Sequence, residues 1–215
     1  MADAGWLAPL DIPRETIVDK NIHKLCMGPG RMIRPYLQEH IYKDSVGLIL
    51  SYGLSSTGYI FRLGEQFLDP IPDGGALPPK ALDIKKISAR DYFNRVELPS
   101  GSEIALKANG SIFGQTLEYV SVPDDVVVEF TAKPAITRAG LLVTAPRLEG
   151  GYEGYVSLAL YNTNPFAVML YPGEGIVHGS FTKIGVVPAH TYRHYRGEAV
   201  AYTLDTYPPV PSVRD

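Results

Sequence analysis

The sequence predicts a mainly β fold for this chain of 215 residues. Glycine (21 residues) and proline (18 residues) are spread along the chain and separate short runs rich in Val, Ile and Tyr. From residue 98 onward, turn signals recur at intervals of about 8–12 residues, which is typical of sandwiches, jelly rolls and distorted barrels. A chain of this length supports one full-sized core, so we expect a single domain.

The first part of the chain predicts an arm followed by a short helix. Residues 1–12 show no periodicity, and we expect them to form an N-terminal arm on the surface. The helix is indicated by an apolar stripe formed by Val18, Ile22, Leu25 and Cys26. Pro13 can begin the helix, and Thr16 with Asp19 fits a capping box. The glycines around Pro29 are expected to end it.

The remaining chain predicts strands joined by turns. Residues 48–68 read as strand, turn and strand, because apolar and other residues alternate there. Residues 69–80 contain four prolines and two glycines and predict a long surface loop, and residues 84–97 are ambiguous. Further strands are expected within residues 98–146 and three more within 152–181. The β domain should span residues 13–187, and the tail, residues 188–215, should lie over the surface or over a neighbouring subunit.

Composition excludes several classes of protein. The net charge of −3 indicates no basic surface for nucleic acid. No apolar run approaches the roughly 20 residues that a membrane-spanning helix needs. Cys26 is the only cysteine, so an intrachain disulfide is impossible. The first residues lack the pattern of a secretory signal, and we expect a cytoplasmic protein.

Several residue types could bind a ligand or act in chemistry. Lys133, Arg138 and Arg147 lie near predicted turns and suit phosphate oxygens, although scattered surface charges would look the same. Glu149 precedes two glycines that would allow a ligand close to the backbone. His178 lies among small residues, where a histidine is more often structural than catalytic. No clustering of His and Cys suggests a bound metal.

Four segments then resemble one known family. They are SYGLSSTGYIFRLGEQF (51–67), the run 98–128 with its TLEY strand, AKPAITR (132–138), and the run 143–181 with its LYPGEGI hairpin. Together they resemble the dCTP deaminases and, more distantly, the trimeric dUTPases. The resemblance implies a distorted jelly-roll β-barrel and a homotrimer whose sites lie at subunit interfaces. It also implies a pyrimidine deoxynucleotide as ligand, no protein-bound cofactor, and Mg²⁺ that enters only with the triphosphate.

The resemblance also locates departures from the family pattern. Aligning YEGYVSLA with the family's WEGYVTLE places Ala159 where the deaminases have their catalytic glutamate. Pro134 and Ala135 replace the two serines of the family's GKSSxAR loop. His178 stands where the last hairpin usually has glutamine, and Ile60 stands where an aspartate follows GY.

Other family positions are retained. Arg138, Arg147 and Tyr171 match the family, while the C-terminal pattern survives only as YRHYRGE (192–198). The residues that we expect to contact a nucleotide are Lys133, Arg138, Arg147, Tyr171 and Tyr192. Glu149 keeps an acidic residue before the GY turn. The sequence thus supports three hypotheses: a nucleotide-binding trimer without ordinary dCTP deaminase activity, an active hydrolase of altered substrate that uses Glu149 and His178, or a structural trimer without a small ligand.

Overall fold

A computed structural model of the chain describes residues 13–42, 50–70 and 93–192. Its helices are α1 (Asp19–Met27) and α2 (Pro134–Arg138). Its strands are β1 (Arg14–Thr16), β2 (Ile33–Arg34), β3 (His40–Ile41), β4 (Tyr52–Ser55), β5 (Gly58–Pro70), β6 (Phe93–Glu97), β7 (Ile104–Leu106), β8 (Ser111–Ser121), β9 (Val126–Ala132), β10 (Leu141–Thr144), β11 (Glu153–Asn162), β12 (Val168–Leu170) and β13 (Gly175–Ile184). The protein is therefore mainly β, as predicted. Neither described helix has the length and apolarity needed to cross a lipid bilayer.

Eleven of the described strands form one curved antiparallel sheet with the main order β1-β13-β5-β8-β11-β10. Within this sheet, β2 also pairs with β8, β4 and β6 pair with β5, and β9 pairs with β13, while β3 pairs with β4. A separate two-stranded sheet consists of β7 and β12. The large sheet curls into a half-barrel. This architecture confirms the expected distorted jelly-roll barrel with a short N-terminal helix.

The core lies inside this curve, and strand alternation decides which side chains enter it. Along β11, Val156, Leu158 and Leu160 are buried, whereas Ser157 and Ala159 between them are half-buried on the outer face. Two faces result from the period of two in a strand. The outer face of β8, β10 and β11 is consequently available for a ligand.

A buried ion pair joins β5 to β8 inside the sheet. Arg62 Nε donates to a carboxylate oxygen of Glu118 over 2.6 Å, and the Arg62 backbone N–H donates to the other oxygen over 2.9 Å. The Glu118 side chain is fully buried and that of Arg62 is 15% exposed. Burial raises the pKa of Glu118, and the charge of Arg62 opposes this effect. Nothing in the local sequence indicates this pair, because its members lie on different strands.

The helix α1 has the predicted end but a different start. Ile22 and Cys26 are buried, and the Gly28 N–H closes the last turn on the Lys24 carbonyl over 2.9 Å. The prediction that Pro13 begins the helix and Thr16 caps it was wrong. Residues 14–16 instead pair with residues 182–184 as β1, and Val18 at the N-cap makes no side-chain capping bond.

Residues 132–138 also differ from the expected loop. They contain α2, in which Pro134 occupies the first turn, where its missing N–H costs nothing.

The predicted strand–turn–strand over 48–68 is confirmed by β4 and β5, and β6 occupies the end of the ambiguous segment 84–97. The predicted arm, most of the 69–80 loop and the tail beyond residue 192 lie outside the described residues.

Candidate functional site

A cavity of about 530 Å³ lies on the outer face of β8, β10 and β11, and we call it the β11 cavity. Its lining combines the three strands with the segment that follows β10 and with the start of the C-terminal tail. The lining residues are Phe113, Gly114, Thr144, Ala145, Pro146, Arg147, Leu148, Glu149, Tyr152, Ser157, Leu158, Ala159 and Tyr192. Its volume is within the range of about 300–1,000 Å³ that small-molecule sites occupy.

Ala159 lies in the floor of the β11 cavity. It pairs with Thr144 on β10 and with Phe113 on β8. Residues directly opposite each other in antiparallel strands share a face, so these three side chains lie side by side. The Phe113 ring packs edge-on against Phe93 at a centroid distance of 5.3 Å. A side chain at position 159 therefore points at any ligand in the cavity, and here that side chain is a methyl group.

Arg147 and Glu149 supply the charge in this cavity. Both are exposed, and they flank the buried Leu148, whose backbone exchanges two hydrogen bonds of 2.9 Å with Val128. Gly150 packs so tightly that an added Cβ would lie 2.2 Å from the Asp124 carbonyl oxygen. The segment is thus fixed between the two charged residues, at Leu148, and directly after them, at Gly150, where the close approach of Asp124 leaves room only for glycine.

Two tyrosines form the side of the β11 cavity nearest the tail. Tyr152 donates its hydroxyl to the Tyr155 carbonyl over 2.6 Å, which orients its ring. Tyr192 donates its backbone N–H to the Gly150 carbonyl over 2.8 Å, and its ring lies 5.3 Å from that of Tyr152. Tyr192 therefore lines the same cavity as Arg147.

Lys133, Arg138 and Tyr171 lie elsewhere in the fold and do not line the β11 cavity. Tyr171 lines a smaller cavity of about 210 Å³ between α2 and the turn that joins β12 to β13, two strands that belong to different sheets and do not form the predicted hairpin. Lys133 is only 7% exposed, and its ammonium donates to both the carbonyl and the hydroxyl of Ser51. Burial lowers the pKa of Lys133, while the nearby Glu174 carboxylate opposes that shift. Arg138 is exposed at the end of α2.

His178 lies apart from both cavities. Its Nε2 is 3.0 Å from the Ser55 hydroxyl, and its Nδ1 is 3.4 Å from the Ser180 hydroxyl. Burial lowers the pKa of His178. The ring packs on Gly58, where a Cβ would lie 2.4 Å from the imidazole. Within one chain, His178 is therefore not brought to Glu149.

Sequence reasoning missed several neutral lining residues. Ser157, Thr144 and Phe113 follow from strand geometry once Ala159 is placed on an outer face, because Ser157 is two residues earlier and the others pair with Ala159. That pairing register is not visible in the sequence. Among the residues that the structure describes, no three His, Cys, Asp or Glu side chains come together as a metal site.

Comparison with known proteins identifies the family of this chain. The family model for dCTP deaminase-like proteins matches residues 17–184. The chain belongs to the dCTP deaminase-like family. A curated dCTP deaminase of Ehrlichia canis is 30% identical over 199 residues, covering 93% of this chain and 97% of that protein. One of Campylobacter jejuni is 29% identical over 193 residues, covering 89% and 96%.

A solved structure agrees on the fold. The crystal structure of 2'-deoxycytidine 5'-triphosphate deaminase from Agrobacterium tumefaciens matches with a TM-score of 0.54 at 15% identity, over 78% of this chain and 48% of that chain. At this identity the likeness concerns the fold alone. Membership of the dCTP deaminase-like family, which rests on the sequence, supports a function in nucleotide metabolism.

Proposed function

We propose that this dCTP deaminase-like protein binds a pyrimidine deoxynucleotide at the interfaces of a homotrimer and does not catalyse ordinary dCTP deamination. The observation that carries the proposal is Ala159 in the floor of the β11 cavity. The resemblance to the family assigns this position to the glutamate that activates water. A methyl group cannot accept a proton, and loss of a general base lowers the rate by roughly 10²–10⁴.

The trimer is proposed because one chain separates the predicted site residues. Arg147, Glu149 and Tyr192 line the β11 cavity, whereas Arg138 and Tyr171 lie around α2 and the turn between β12 and β13. A neighbouring copy that presents its α2 to this cavity would bring the two sets together. Guanidinium groups from both copies could then bind the phosphates.

Apolar side chains beside the cavity support such a contact. Leu142 and Tyr161 pair across β10 and β11 and are 55% and 41% exposed. They lie on the face that carries Ala159, since positions two residues apart along a strand share a face. Mg²⁺ would accompany the triphosphate as part of the substrate, and Glu149 is a cavity carboxylate of the kind that meets such an ion.

Calorimetric titration with dCTP and Mg²⁺, followed by chromatography of the same nucleotide, tests this proposal. We expect saturable binding and unchanged dCTP for the natural protein. Arg147→Ala should weaken binding about tenfold or more, because a hydrogen bond to a charged group contributes roughly 1.5–3 kcal/mol. Lys20→Ala, an exposed change on α1, is the matched control. Conversion of dCTP at the rate of an ordinary dCTP deaminase would refute the proposal, and absence of any nucleotide binding would favour a structural trimer.

A second candidate is an active hydrolase of altered substrate. It is favoured by one observation: Glu149 lines the same cavity as Ala159 and could act as the base there. It predicts that some pyrimidine deoxynucleotide is turned over and that Glu149→Gln abolishes this turnover. His178→Asn tests whether the imidazole shares in it. No turnover across a panel of natural and modified deoxynucleotides rejects this candidate.

A further inference from the structure

We infer that the β11 cavity prefers a pyrimidine base with an apolar substituent on its ring over the unsubstituted base. The inference rests on the proposed function, because it concerns the ligand of the same cavity. Arg147 and Glu149 are the charged side chains among the lining residues, and both belong to the segment that follows β10.

The floor of the cavity is uncharged. Ala159 lies beside Phe113 and Thr144, and Ser157 shares its face of β11. Arg147 is three residues beyond Thr144, so it lies up to about 10 Å further along the chain if that segment is extended. The cavity thus has a charged part suited to phosphate and sugar, and a neutral part suited to a base.

The neutral part of the cavity has free space beside Ala159, bordered by apolar surface, that a larger side chain at position 159 would fill. The Ala159 methyl and the Phe113 ring form the apolar surface, and Thr144 and Ser157 add neutral hydroxyls that can donate or accept a hydrogen bond. A carboxylate at position 159 would reduce this space and disfavour an apolar group beside it. Alanine at position 159 leaves this space open and apolar. A substituent on the pyrimidine ring that contacts the Ala159 methyl group therefore removes apolar area from water.

The hydrophobic effect sets the expected ratio of the affinities for the substituted and the unsubstituted nucleotide. Burying one methyl group contributes roughly fourfold in affinity. A longer apolar substituent should contribute more while space remains. Leucine at position 159 would occupy that space and cancel the preference.

Calorimetry with dCTP, 5-methyl-dCTP and 5-propynyl-dCTP tests the inference. We expect 5-methyl-dCTP to bind about fourfold more tightly than dCTP, and 5-propynyl-dCTP to bind at least as tightly as the methyl compound. Ala159→Leu should abolish this order, whereas Ala105→Leu, the same change at an exposed strand position, should retain it.

The outcomes separate this inference from the proposed function. If dCTP binds and both substituted nucleotides bind equally or more weakly, the inference is overturned and the nucleotide site stands. If none of the three nucleotides binds, the proposed function fails and the inference fails with it. Should Ala159→Leu not fold, the order of the three affinities for the natural protein still decides.

Discussion

Replacing Arg62 with methionine tests the buried ion pair that joins β5 to β8. The change leaves the Glu118 carboxylate fully buried without its counterion, although the backbone N–H at position 62 can still donate to it. Removing one partner of a buried pair costs roughly 3–5 kcal/mol. The guanidinium also lies 5.2 Å from the centre of the Tyr52 ring, a cation–π contact that contributes about 0.5–1 kcal/mol. We expect a loss of about 4 kcal/mol, or roughly 8–16 °C in Tm for a chain of this size.

The loss should also depend on pH. Burial raises the folded-state pKa of Glu118, and removing Arg62 raises it further because that charge holds it down. A raised pKa gives stability that is present in full below the unfolded-state pKa, about 4.3, and is lost as pH rises through the folded-state pKa. The deficit of Arg62→Met should therefore be smaller at pH 5 than at pH 8.

Urea denaturation at both pH values, at equal protein concentration, measures these effects. Arg62→Met/Glu118→Met is the informative second variant, since replacing a whole buried pair by apolar residues is often nearly neutral. Arg34→Met is the surface control, because Arg34 is exposed and lies over the Tyr119 ring at 4.6 Å. A deficit below about 1 kcal/mol for Arg62→Met, or a double variant less stable than the single variant, would show that the ion pair does not have this role in stability.

Three further predictions concern other buried contacts. Gly58→Ala should destabilise the protein by about 1–3 kcal/mol in urea denaturation, because a Cβ would lie 2.3 Å from the Gly179 carbonyl oxygen; Gly30→Ala, with nothing within 4 Å, should be nearly neutral. Burial lowers the pKa of His178, so its contribution to stability should be present above about pH 6.5 and lost as pH falls through the lowered value; stability–pH curves for His178→Asn should lack this step, and an unchanged curve would contradict it. Burial raises the pKa of Cys26 to about 12, so the folded protein should resist iodoacetamide at pH 8 and react once unfolded; rapid labelling of the folded protein would contradict this burial.

The sequence predicted most strands because their signal is local. Tyr59, Phe61 and Leu63 are buried as their alternation indicates, and turns separate the strands where glycine and proline cluster. The start of α1 was missed for a non-local reason. Residues 14–16 become a strand because β13, more than 160 residues later, offers them an edge. Capping signals within the segment cannot reveal that competition.

The candidate site was predictable in part for the same reason. The family motifs identified Ala159, Arg147 and Glu149, and the structure places all three in one cavity. Motifs do not state how far apart their residues lie in one folded chain. The separation of Lys133 and His178 from this cavity depends on strand order and on which sheet face each side chain occupies. Those properties come from long-range pairing.

A crystal structure of the protein after soaking with dCTP or 5-methyl-dCTP would show whether the β11 cavity binds a nucleotide without deaminating it. We expect a base in the β11 cavity against Ala159 and Phe113, with unhydrolysed phosphates near Arg147 and near Arg138 of an adjacent copy. We also expect the base to retain its amino group. A nucleotide bound elsewhere, a deaminated base beside Ala159, or a β11 cavity filled by side chains of a neighbouring copy would contradict the proposed function.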